Sequence, residues 1–427
     1  MRKRLLLDVT KTFESQFSTG IQRVVRELVR RSHRIGAQLD MDVVVVVANN
    51  ARYLRLDDAG MQRLLTPPPA KGGAMVVQSR LAQRVKALLQ SNARLYAAMQ
   101  RRLLERRLRT LTAGLAPVPV GPDDVVALID YFGAGSPSVP AIRAAHRQGA
   151  TTLALIYDVI PLVHRDMVPA TTAYPFEWAF KRVVPILDGA ITISKSEADL
   201  IRAQPLVEQA SVPVASFYLG QDLRTVDTMS GNITIPKQAW TDGPTFVMVG
   251  TIEPRKRNAA ILAAFDQLWS LGCAANLVMI GRIGWEIEAF VEQVKRHPRN
   301  GTSLFLCHQV DDAELHTAMT RADAIVMASK AEGFGLPIIE ALSLGVPVIA
   351  SDIPIFREIA GDAGCYFLPD DTAQTATVLQ DFINRSEIYR SAARAFKWID
   401  WDQSADEFAT AVHTVLEPDP AGLRSRK

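Results

Sequence analysis

The sequence predicts an α/β chain of two domains, each a parallel sheet covered by helices. Three observations carry that prediction. Short Val/Ile/Leu runs recur along the whole chain, helical patterns separate them, and one polar, turn-rich stretch breaks the rhythm near the middle. Apolar runs without in/out alternation are what parallel strands buried on both faces look like. At 427 residues, and with domains of about 100 to 200 residues each, two cores are expected.

The first run, LLLDV, follows a basic start whose apolar stretch is too short for a secretory signal, so it reads as strand one. VVVVVA, VVALID, TLALIYDV and GAITIS continue the first domain, placed at residues 1–225. The break is GQDLRTVDTMSGNITIPKQAWTDGP at 220–244, rich in turn residues. TFVMVG, ANLVMIG, SLFL, AIVMAS and PVIAS then build a second domain at 240–390.

Two segments fall outside this rhythm. Residues 79–115 have apolar positions at near-helical spacing and nine Lys/Arg against Glu105 alone, which reads as a basic amphipathic insertion that rests on an anionic surface or is a solvated helix packed on the first domain. Residues 391–427 read as helices broken at WIDWD, with no strand to join and a return to the first domain expected.

Bulk composition excludes several functions. A net charge of +3 does not indicate nucleic acid. Apolar runs such as residues 43–48 are far below the roughly 18 residues of a membrane span. Cys273, Cys307 and Cys365 show no CxxC spacing and read as reduced thiols of a cytoplasmic protein. Asp40-Met41-Asp42 precedes its strand and reads as a turn, not as a metal site.

Two loops carry chemistry. KAEGFG follows the strand AIVMAS, where open α/β sheets bind ligands, and Pro337 suits the first turn of the next helix. Gly333 and Gly335 permit close backbone approach, so the helix start is a place for phosphate. Glu332 and Glu340 flank it; taken alone, they fit sugar or ribose hydroxyls, or a solvated loop and helix surface. TIEPRKRN follows TFVMVG and brings Glu253, Arg255, Lys256 and Arg257, cations suited to a diphosphate.

The pattern Glu332-GFGLPII-Glu340, preceded by VGTIEPRK and DDAELHTAM and followed by ALSLGVPVIASDIPIFREIAGDAG, resembles retaining glycosyltransferase family 4, whose fold is GT-B, two Rossmann-like domains facing each other across a cleft. The resemblance is strong over most of residues 240–405. LLLDVTKTFESQFSTGIQRVVREL, LIYDVIPLVHRDMVP and GAITISKSEADLIR extend it more weakly to the mannosyl- and rhamnosyltransferases of O-antigen and capsule biosynthesis.

That resemblance implies transfer of a hexose from a nucleotide diphosphate sugar, GDP-mannose or a related GDP-sugar, to a glycan or lipid-linked glycan, with no metal or other cofactor. Glu332 would meet the donor sugar, Glu340 the ribose, and the backbone at Phe334, Gly335, Leu336 and Pro337 the diphosphate. Lys256 and Arg255 would neutralise the leaving group, with Gly20, Gly250 and Thr251 close by. Thr251 departs from the arginine many members carry. Tyr157 stands before Asp158 where a histidine is frequent, so Asp158 is the first acceptor-side catalytic candidate, its alternative a turn cap, and Tyr157 and His164 are weaker ones. The implied place is cytoplasmic, peripheral on the inner membrane through the 79–115 helix. A nucleotide-sugar epimerase or hydrolase, or a non-catalytic nucleotide-sugar-binding protein, shares the same diphosphate features.

Overall fold

The computed structural model describes residues 3–15, 19–66, 93–133, 135–222, 234–308 and 310–417, with the side chains of 93–98, 100 and 101 excepted. Among them the chain divides into two units. The first closes at Gly220 and resumes at Ile399; the second is Gln221–Trp398.

The first unit is built on β1 (Arg4–Asp8), β2 (Asp42–Asn49), β3 (Arg52–Arg55), β4 (Pro117–Val118), β5 (Asp124–Leu128), β6 (Thr151–Leu155), β7 (Gly189–Thr192) and β8 (Val214–Ser216). Their order is β4-β3-β2-β1-β5-β6-β7-β8. From β2 to β8 the pairing is parallel; β3 and β4 are antiparallel. Asn50 and Ala51, at φ 50° and 57°, form the two-residue hairpin that turns β2 into β3. β3 reads RYLR and buries Tyr53 between exposed arginines, so its composition carries no apolar run.

The second unit contains β9 (Thr245–Val249), β10 (Asn276–Ile280), β11 (Leu304–Cys307), β12 (Ala324–Met327), β13 (Val348–Ser351) and β14 (Gly364–Phe367). They are parallel, in the order β11-β10-β9-β12-β13-β14. Strand order reverses between β1 and β5 in one unit and between β9 and β12 in the other. At such points the loops leaving the carboxyl ends diverge and open a crevice.

The helix Ala93–Leu111 is the described part of the basic insertion; 67–92, and with them the rest of that segment, lie outside the described residues. Leu108 is fully buried, Arg107 pairs with Glu14 at 2.7 Å, and Arg102, Leu103, Arg106 and Arg109 form an exposed stripe. No helix among the described residues is long and apolar enough to cross a membrane.

The tail placed at 391–427 divides. Ser386–Ala395 stays with the second unit, and only from Ile399 does the chain rejoin the first. The helix Trp401–Leu416 then buries Trp401 and Phe408, the latter edge-on to Phe217 at 5.3 Å. Arg31 and Arg34 hold Asp402 and Asp406 at 2.6 and 2.5 Å, and Glu407 accepts the Tyr218 N–H at 2.8 Å. Gly220 lies against this return: a Cβ there would sit 2.5 Å from Asp400 O and Trp401 N. Asp40 ends a helix at φ 53°.

Candidate functional site

The loops after β9 and β12 leave the second sheet at its strand-order reversal. After β9 the chain passes Gly250 at φ 130°, makes a short 3-10 turn at Pro254–Lys256, turns through Arg257 at φ 57° and enters the helix Asn258–Ser270. A Cβ on Gly250 would lie 3.4 Å from the Lys256 Cε and Nζ, so glycine lets the lysine lie across the strand end. After β12, Ser329 and Glu332 lead into Gly335, at φ 109°, and the helix Leu336–Ser343 with Pro337 in its first turn. A Cβ on Gly335 would approach Phe356 Cε1 to 3.0 Å.

The two loops are stitched together. The Lys330 N–H donates to Arg255 O at 3.1 Å, and Arg255 Nη1 donates to Ala331 O at 2.5 Å. Glu332 receives Lys256 Nζ at 2.5 Å, Arg255 Nη1 at 2.9 Å and Ser329 Oγ at 2.6 Å. Arg255 also pairs with Glu253 at 2.7 Å. The side chains of Arg255, Lys256 and Glu332 are 15%, 15% and 12% exposed, so these charges meet largely out of water.

Burial alone would raise the Glu332 carboxyl. Arg255 and then Lys256, with hydrogen bonds from Lys256 and Ser329, outweigh it and hold the group at about 2. Burial likewise works against the Arg255 charge, but Glu332 and Glu253 raise the guanidinium above its usual value. A carboxylate depressed in the folded state stabilises the fold above its unfolded value of 4.5 and loses that contribution as pH falls toward about 2. Wild type is therefore expected to melt well above Glu332→Gln at neutral pH, with the gap closing between about 4.5 and 2. Melting curves across that window check this, and a constant gap would contradict it.

Gly250, Thr251, Arg255, Lys256 and Glu332 come together here, with residues 334–337 continuing from Glu332. Phe334 is buried edge-on against Trp398, which leaves its backbone rather than its ring for a ligand. Glu340 sits half-buried in the second turn of its helix. Sequence reasoning missed Ser329, and also Asp370 in the loop after β14, which holds Arg257 at 2.5 Å and Lys330 at 2.9 Å. Ser329 was findable as the small hydroxyl three residues before Glu332; Asp370 left no local signal.

The remaining candidates lie in the first unit. Gly20 opens the helix Gly20–Arg30, behind a Thr19/Gln22 capping box. Tyr157 is buried and donates its hydroxyl to Ile129 O at 2.8 Å, which makes it an internal strut rather than an acceptor-side group. Asp158 is half-exposed and accepts the Ile160 N–H at 3.1 Å, so it does cap the turn that follows. His164 sits half-buried at the junction of the helix Ile160–Val163 and the turn Arg165–Met167.

The family model described as Glycosyl transferases group 1 matches residues 232–396, a span that contains both stitched loops. The chain carries a group 1 glycosyltransferase domain. Outside that domain the likeness continues: the serotype-specific mannosyltransferase WbdA of Escherichia coli is 31% identical over 305 residues, 68% of this chain. The chain spans 37% of that relative's length. The O-antigen chain mannosyltransferase B of Escherichia coli is 34% identical over 168 residues, 38% of this chain and 44% of its own.

Among solved structures, sucrose-phosphate synthase from Thermosynechococcus elongatus superposes with a TM-score of 0.59 at 17% identity, covering 97% of this chain and 99% of its own. HepE from Anabaena, in complex with UDP, gives 0.57 at 15% identity over 96% of this chain and 100% of its own. The group 1 domain and the unit before it thus make a GT-B fold of two Rossmann-like α/β units.

Proposed function

We propose that the protein is a retaining hexosyltransferase of family 4 that moves mannose, or a deoxyhexose such as rhamnose, from a GDP-linked donor to a glycan or lipid-linked glycan of surface polysaccharide. One observation carries the reading: Arg255, Lys256 and Glu332 converge at the strand-order reversal of a group 1 domain, beside a helix N-terminus. Cations and backbone N–H groups together suit a diphosphate, and a carboxylate between them suits sugar hydroxyls. The mannosyltransferase relatives support the choice of sugar.

In this reading the anomeric C–O bond to the diphosphate breaks while the acceptor hydroxyl attacks from the same face and passes its proton to the departing phosphate oxygen. Negative charge grows on the leaving phosphate and positive charge on the sugar, so the protein's task is chiefly electrostatic. Lys256 and Arg255 take the first charge, the backbone at 334–336 with Gly250 and Thr251 cradles the phosphates, and Glu340 accepts from the ribose. In the first unit, Gly20 is the candidate for the donor side and Asp158 for the acceptor side. With these groups in place, transfer requires no metal.

Incubation with GDP-mannose and a lipid-linked or polysaccharide acceptor tests the proposal. A mannosylated acceptor supports it; an altered or released free sugar would mean an epimerase or hydrolase, and stabilisation by GDP without turnover would mean a binding protein.

Such acceptors sit at the cytoplasmic face of the inner membrane, which gives the Arg102, Leu103, Arg106 and Arg109 stripe a purpose. Each arginine near an anionic surface is worth about 1 kcal/mol. Charge reversal at Arg102, Arg106 and Arg109 together is expected to cut flotation with anionic liposomes by more than about tenfold. Arg107 is left intact because it pairs with Glu14. Undiminished flotation would remove the membrane from the proposal.

A further inference from the structure

In the first unit, one buried acid is committed to the loop that carries Asp158. The helix Lys195–Arg202 follows β7, and Ser194 Oγ accepts the Glu197 N–H at 3.1 Å, which places Glu197 in the first turn. Glu197 is 1% exposed. Its Oε1 reaches the neighbouring loop, after β6, and accepts the Val159 N–H at 2.7 Å. The next N–H, of Ile160, goes to Asp158 itself, and Tyr157 is tied to Ile129 O. Three points between Tyr157 and Ile160 are thereby fixed, one of them by a side chain from another element.

A carboxyl is a costly way to hold one buried N–H unless its ionisation or its reach matters. Burial, and after it the nearby Asp158 charge, push the Glu197 carboxyl up to about 8, against the pull of the Val159 N–H. At neutral pH the group is therefore largely a neutral acceptor, for which glutamine is nearly isosteric.

We propose that Glu197 is the positioning residue for Asp158: through the Val159 N–H it fixes the backbone that aims the Asp158 carboxylate during transfer. This rests on the reading of Asp158 as the acceptor-side residue of the proposed reaction. The consequence is a rate effect without a donor-binding effect, because a misplacement of about 1 Å in a catalytic group can cost on the order of a hundredfold in rate.

The test is mannosyl transfer from GDP-mannose by the full chain, with amide hydrogen exchange at Val159 and Ile160 measured in parallel. Glu197→Gln is expected to stay within about threefold of wild type and keep both amides protected. Glu197→Ala should lower kcat by about tenfold to a hundredfold, leave the donor KM unchanged and raise exchange at Val159. Glu197→Leu, which keeps the volume, replaces it if the alanine variant does not fold. Added to Asp158→Ala, the Glu197→Ala change should lower kcat no further.

Wild-type turnover by Glu197→Ala, equal losses in the glutamine and alanine variants, or a full additional loss in the double variant would each overturn the proposal. Unimpaired turnover by Asp158→Ala would instead overturn the role of Asp158, whatever the exchange data show. Unchanged Val159 exchange in Glu197→Ala would defeat the positioning role independently of activity.

Discussion

Lys256→Ala is expected to lose transfer by on the order of a hundredfold or more in kcat, about 3 to 4 kcal/mol of transition-state stabilisation, the cost of removing one preorganised group that meets developing charge. Lys256 is the cation that Gly250 allows to lie over the end of β9, and it is mostly buried, so water replaces it poorly. The fold should survive. Without Lys256, Glu332 retains Arg255 at 2.9 Å and Ser329 at 2.6 Å, and no buried carboxylate is stranded. Glu332→Ala should lose a comparable amount of transfer but also stability, because it leaves Lys256 and Arg255 facing each other without the carboxylate. Single-turnover assays with thermal melts separate the two; wild-type rates in either variant would remove the cluster from the catalytic site.

The largest stability effect is expected at Trp401. This indole is 1% exposed in the helix that closes the first unit, and its backbone lies against Gly220. Trp401→Ala should cost about 3 to 5 kcal/mol, the usual range for deleting a buried large aromatic. In a unit of this size that corresponds to a melting point lower by roughly 10 °C. Calorimetry should show the transition of the first unit moving while that of Gln221–Trp398 stays. A shift shared equally by both transitions, or none, would contradict the division of the tail seen here.

The central strands were legible because parallel strands buried on both faces must be apolar throughout: LLLDV, VVVVVA and AIVMAS can hardly be anything else. RYLR, VAS and GCYF were not: VAS and GCYF are edge strands and RYLR lies next to an edge, and short strands that alternate are made strands only by their partners. In the site, TIEPRKRN and AEGFGLP announced themselves as loops with cations, glycines and a helix start. Which charges meet was not legible, because the contact between Lys256 and Glu332 spans 76 positions and depends on β9 and β12 being neighbours. Tyr157 shows the opposite failure: its place beside Asp158 looked functional, yet its hydroxyl is used to brace the core.

The first unit is interrupted at Gly220 and completed only by residues from Ile399 onward. During vectorial synthesis the strands β1 to β8 leave the ribosome long before the helix that buries Trp401 and Phe408 against them. The inserted unit can acquire its structure while its host is still short of its last wall, so the two cannot mature strictly in sequence order. A chain cut off anywhere before residue 401 would therefore damage the earlier-made of the two units, leaving the later-made group 1 domain as the better-formed product.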